Sequence, residues 1–133
     1  MTALNTQVDG DHYKRLSIQP LELAYAIGAT PCFTKLAKYA LRDKGDRMIN
    51  IDKAIHVIGI EQEIVEKAHQ HVMDSYPQIN KEAGRGLAFM LIDIYTQEEL
   101  VRTALKAMFN QDYHTAILSM EKYKEQIREQ SSK

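Results

Sequence analysis

Between residues 51 and 68 the apolar residues Ile51, Ala54, Ile55, Ile58, Val65 and Ala68 recur at intervals of three, four and seven. Side chains so spaced line one face only if the backbone turns about once every 3.6 residues. The stretch is therefore a long amphipathic helix, expected to begin near Asn50 or Asp52 and to run to about His71. A single helix cannot bury such a stripe by itself, so the chain around it must supply matching faces.

Those faces are readable on both sides. "SIQPLELAYAIG" is a short helix with Pro20 in its first turn and Gly28 closing it. "CFTKLAKYALRDKG" is a second, with Thr30 as N-cap and Pro31 at its first position. Phe33, Leu36, Ala37, Ala40 and Leu41 form its apolar side, and a turn centred on Gly45 follows. "DSYPQINKEAGRG" reads as a break punctuated by Pro77, Gly84 and Gly86. "LAFMLIDIY" is apolar throughout, so periodicity does not decide between buried helix and strand. "TQEEL" has capping-box form, Thr96 with Glu99 three residues on. The helix it opens buries Leu100, Val101, Ala104, Leu105 and Met108. A last helix, from about Asp112 to Arg128, stacks Tyr113, Ala116, Ile117, Met120, Tyr123 and Ile127. The "FNQD" link between them predicts an antiparallel helical hairpin. The expected fold is all-α, five to six helices in one domain over residues 1–133, with a binding half at 10–72 and a helical C-terminal half at 73–133.

Composition narrows the function classes. The chain of 133 residues carries 17 basic and 18 acidic side chains, a formal net charge of −1, which argues against coating duplex nucleic acid. No run approaches the roughly 20 apolar residues that span a bilayer. The first residues lack the basic start and apolar run of a secretory signal. Cys32 is the single cysteine, which rules out an internal disulfide and fits a reducing compartment. The expected location is the cytoplasm, away from membranes.

Against this near-neutral background the second helix is unusual. Lys35, Lys38 and Arg42 fall within about one-sixth of its circumference, with Tyr39 beside them. Solvation of an exposed face is the ordinary explanation for such a cluster. The next helix offers a second one: Asp52 and His56 lie one turn apart, and Gly59 and Glu63 continue their line. A glycine inside a helix costs about 1 kcal/mol against alanine, which suggests close approach by a ligand or a packed helix. If the Gly45 turn folds the two helices together, cations for phosphate, a carboxylate or imidazole for a hydroxyl, and Tyr39 for stacking would border one cleft. His12 and Tyr13 form another polar-aromatic pair. Gln19 and Glu22, flanking Pro20, are candidates for a helix cap.

The elements "DHYKRLSIQPLEL", "CFTKLAKYALRDKG" and "NIDKAIHVIGIE" resemble, over about residues 10–62, a small phage family catalogued as a domain of unknown function, DUF3310. The corresponding residues are His12 and Tyr13; Gln19, Pro20 and Glu22; Lys38, Tyr39 and Arg42; and Asp52, Lys53 and Ala54. Thr34 and Lys35 stand where the family commonly has Gly-Asn. Members are often labelled nucleotide kinases. The resemblance thus implies deoxynucleotide chemistry in an infected host cell, with a deoxynucleoside monophosphate as acceptor and ATP or a dNTP, with or without Mg²⁺, as donor. On that reading Lys38 and Arg42 hold and stabilise phosphates, and Asp52 or His56 orients or deprotonates the acceptor. His12, Tyr13, Gln19, Glu22, Lys35, Tyr39 and Lys53 complete the substrate pocket. No G-x-x-x-x-G-K-[ST] loop is present, so the phosphates would rest on side chains.

Other chemistries are less well supported. "EIVE" places Glu63 and Glu66 in the E-x-x-E half of the Mg²⁺ pattern of all-α nucleotide pyrophosphatases, but no E-x-x-D follows. His69 and His71, two apart on a helix, point in nearly opposite directions and make a poor zinc pair. Cys32 reads as a buried small residue. "EAGRGL" offers a weak backbone nest around Arg85. Two non-catalytic readings remain: a protein that sequesters a nucleotide, and a protein–protein inhibitor using the C-terminal hairpin. Apolar residues in that half also suggest a homo-oligomer.

Overall fold

The computed structural model describes the backbone of residues 18–71 and 81–131 and the side chains of residues 18–68 and 84–131. His12 and Tyr13 lie outside the described residues, as do the side chains of His69 and His71. Six helices follow in order: α1 (Pro20–Ile27), α2 (Pro31–Ala40), α3 (Arg47–His71), α4 (Lys81–Tyr95), α5 (Glu99–Phe109) and α6 (Tyr113–Ser131). Among the described residues there is no strand. The fold is all-α. No described helix is long and apolar enough to cross a membrane.

Each helix begins and ends for a local reason. At α1, Glu22 accepts a hydrogen bond from the Gln19 amide at 3.3 Å, and Gly28 closes the helix at φ 65°. At α2, the Thr30 hydroxyl accepts from the Phe33 amide at 3.2 Å with Pro31 in the first turn. The α2 helix is shorter than its cationic pattern suggests. It ends at Ala40, and Arg42 lies in the connection to α3. Gly45 makes that connection possible at φ 80°, a left-handed conformation that costs other residues more.

The long helix starts earlier than expected. Asp46 is the capping side chain, its Oδ1 accepting from the Met48 and Ile49 amides at 2.9 and 3.2 Å. Asn50 is buried inside the helix, and its amide donates to the Lys44 carbonyl at 2.9 Å. It pins the preceding turn, a long-range use that looks like an N-cap in sequence.

The stretch expected to break the chain is partly helical. Gly84 and Gly86 lie inside α4, and "LAFMLIDIY" is helix rather than strand. Two glycines weaken such a helix by roughly 1 kcal/mol each. Burial of Ala88, Ile92 and Tyr95 supports it from the core side, and the Tyr95 hydroxyl donates to the Ala37 carbonyl at 2.8 Å. The Thr96–Glu99 capping box does not form. Glu98 occupies the N-cap position, and the Thr96 hydroxyl accepts from the Glu98 amide at 3.1 Å in a turn just ahead of the helix. Glu99 instead meets Arg102 at 3.2 Å, and Arg102 reaches back to the Asp93 carbonyl at 2.7 Å to close the end of α4.

The buried residues of all six helices form a common cluster that includes Leu23, Phe33, Ile51, Ile58, Ile92, Leu105 and Tyr123. The expected stripe of α3 contributes to it, with Ile51, Ala54 and Ile58 fully buried; Val57 joins them. α5 packs on α6 across a connection in which Gln111 adopts φ 61°. α2 packs chiefly on α3, which also carries α6.

Arg47, the first residue of α3, joins three of these elements. Its guanidinium donates to the carbonyls of Ala40 at 3.1 Å and Arg42 at 2.9 Å, and to the Tyr123 hydroxyl on α6. The charge sits where the α2 dipole is negative. Hydrogen bonds from charged donors contribute about 1.5–3 kcal/mol, and leaving buried acceptors unpaired adds a penalty. Arg47→Met, which keeps the aliphatic stem, is expected to lower unfolding stability by about 2–4 kcal/mol in urea titration, with little change in m-value.

Candidate anion site

The α2–α3 pairing brings together residues that sequence spacing could only place on separate faces. Tyr39 is half-buried on α2, its ring packed against the core. The Lys38 ammonium lies 5.8 Å from its ring centre and the Lys53 ammonium, from α3, 5.7 Å. Each contact is a cation–π interaction of about 0.5–1 kcal/mol at an exposed site. Neither lysine has an ion-pair partner among the described residues. Two free ammonium groups therefore share one aromatic support, which holds them near each other without neutralising them.

The neighbours divide into free and engaged groups. His56 is exposed one turn beyond Lys53 and shares its side of α3. Asp52 is ion-paired to Lys124 of α6 at 2.7 Å. Its charge is thereby offset, and it does not counter Lys53. Lys35 is exposed on α2, beside a cleft formed by α1 and the start of α2. Arg42 is half-buried, with a buried Nε that has no hydrogen-bond partner among the described residues. Gln19 and Glu22 belong to the start of α1, where Glu22 accepts from the Gln19 amide. The structure thus gathers Lys38, Tyr39 and Lys53, with His56 adjacent.

A Cβ built at Gly59 meets nothing within 4 Å among the described residues, so no packed helix requires glycine there. Glu63 and Glu66 are exposed on α3. Among the described residues no three His, Cys, Asp or Glu side chains are grouped as a metal site. Arg85 is exposed within α4, where the backbone amides of a regular helix form no nest.

Glu61 is a polar residue that sequence patterning passed over. It is buried on α3 and accepts hydrogen bonds from the Thr30 hydroxyl and, at 2.9 Å, from the Tyr113 hydroxyl. Those partners stand at the starts of α2 and α6, so one carboxylate ties α3 to both helices through their side-chain hydroxyls. The only sequence sign was an acidic residue in phase with Ile51, Ala54 and Ile58. Cys32 lies in the same neighbourhood: burial, then the Glu61 charge, raises its thiol pKa above the ordinary 9.0, against an opposing effect of Lys35.

No protein-family model matches the chain, and neither a curated protein nor a solved structure does.

Two measurements probe this region. Gly59→Ala is expected to raise stability by about 0.5–1 kcal/mol in thermal or urea unfolding, because the Cβ enters open space in a helix interior. Alkylation of Cys32 by iodoacetamide should rise with pH through a midpoint above that of the urea-unfolded chain. A raised folded pKa also means that this thiol's contribution to stability is full below the unfolded value and is lost as pH climbs through the folded one.

Proposed function

We propose that the chain binds a nucleotide on the joined basic faces of α2 and α3, with its phosphates on Lys38 and Lys53. The observation that carries this reading is the convergence of two ammonium groups from different helices on Tyr39, without carboxylate partners among the described residues. In a chain of net charge −1, such a convergence favours a compact polyanion over an extended nucleic acid. Each exposed ammonium–phosphate contact is worth about 1 kcal/mol, or a factor of about five in affinity. Lys35 and Arg42 extend the basic surface along the chain. Tyr39 holds the two ammonium groups together and supplies a phenol for a ribose or phosphate oxygen.

The resemblance to phage DUF3310 proteins supports a deoxynucleoside monophosphate as the ligand and phosphoryl transfer from ATP or a dNTP as the enzymatic form of this function. In that form Lys38 and Lys53 neutralise transferred charge, and His56 is the acceptor's base, since Asp52 is held by Lys124. Nucleotide sequestration is the non-catalytic form of the same site.

Titration calorimetry with dNMPs and ATP, followed by chromatography of mixtures with and without Mg²⁺, tests both. Lys38→Gln and Lys53→Gln are each expected to weaken binding about fivefold, with the double variant losing about twentyfold or more. Added salt should weaken the wild-type complex more than either variant's. A dNDP product that disappears in Lys38→Gln establishes transfer; binding without turnover establishes sequestration. No binding of any nucleotide at millimolar concentration overturns the proposal.

A further inference from the structure

Among the described residues two apolar surfaces stay exposed, one concave and one convex. The first is a groove of about 590 Å³ between α1 and the start of α2. Leu21, Ala24, Tyr25 and Gly28 line its α1 wall at helical spacing, and Pro31 faces them from α2. Leu21 is 54 % exposed and Tyr25 82 %. Lys35 is the single charged residue on its lining.

The second is a ridge on α4. Leu87, Met90 and Ile94 recur at i, i+3 and i+7 and are 51, 53 and 47 % exposed, while Ala88, Ile92 and Tyr95 on the other side enter the core. α4 is thus apolar on two faces and buries only one. That is the physical content of the uninterrupted run "LAFMLIDIY". A fully apolar helix face in water is costly and marks a contact with another surface.

We infer that the chain forms a two-fold dimer in which the Leu87–Met90–Ile94 ridge of each copy sits in the α1–α2 groove of the other. A groove lined at helical spacing receives a helix presenting anchors at i, i+3 and i+7. Both halves of the contact are on one chain, and α1 packs directly against α4. Groove and ridge thus lie on adjacent helices, and a two-fold axis between copies pairs each ridge with a groove and closes the assembly. The ridge positions carry no charge, and a net charge of −1 per chain opposes association little. Four half-exposed aliphatic side chains and Tyr25 present on the order of 500 Å² per copy. Two copies would remove about 1,000 Å², the lower end of specific interfaces, so the dimer should dissociate on dilution.

Sedimentation velocity on the full chain, from low to high micromolar concentration, tests the arrangement. The wild type is expected to move from the mass of one 15.3 kDa chain toward that of two. Met90→Glu on the ridge and Tyr25→Glu in the groove should each be monomeric with unchanged helical circular dichroism. Leu87→Glu and Leu21→Glu give the same two readouts should either of the first pair fail to fold. A wild type that stays monomeric, variants that still dimerise, or an assembly larger than two each overturns the inference.

Discussion

α3 holds α2 at both ends, and α6 at its first residue and its middle, through two charged side chains, and the remaining architecture depends on that grip. At its start, Arg47 closes the carbonyl end of α2 and meets Tyr123 of α6. Further along, Glu61 meets Thr30 at the amide end of α2 and Tyr113 at the amide end of α6. Arg47 meets the negative end of α2, and both charged groups make charge-assisted hydrogen bonds to the helices they join. A slip of α2 along α3 would leave a buried carboxylate without donors, which costs more than losing an ordinary apolar contact. Register between the helices is set by polar pairing, while the apolar cluster supplies most of the area.

That register is what produces the candidate site. With α2 held at both ends against α3, Lys38 and Tyr39 fall opposite Lys53, and the two ammonium groups find the same ring. Two nearby carboxylates are engaged elsewhere: Asp46 caps the helix and Asp52 pairs with Lys124. Lys38 and Lys53 have no ion-pair partner among the described residues and are available to an anion. A site of this kind has little desolvation cost to recover, since Lys53 stays exposed, and its affinity should be correspondingly modest and sensitive to salt.

The exposed apolar surfaces lie on α1, α4 and the first turn of α2, whereas Lys38 and Lys53 meet at Tyr39, and Lys35 stands at the edge of both regions. The two glycines of α4 carry no contact that a Cβ would disturb. We find no packing reason for them.

Much of the fold was legible because its signals are local. Thr30 with Pro31, Gly28, Gly45 and the apolar stripe of α3 act within a few residues of themselves, and the structure uses each as its chemistry suggests. The misread boundaries share a cause. Asn50 and Thr96 have the side chains of caps, but Asn50 serves the Lys44 carbonyl, and Thr96 serves a turn ahead of α5. Gly84 and Gly86 look like punctuation, but packing against the core carries α4 through them. In the site, sequence identified the cations of α2 and could not show that Arg42 falls outside the helix or that Lys53 reaches Tyr39. The helical character of the chain, most of its turns and its supply of cations were determined by the sequence alone, since propensity, capping and periodicity act over three or four residues. Only the tertiary structure decided which charges pair, which stay free and which apolar face is left uncovered, because those outcomes depend on partners dozens of residues away.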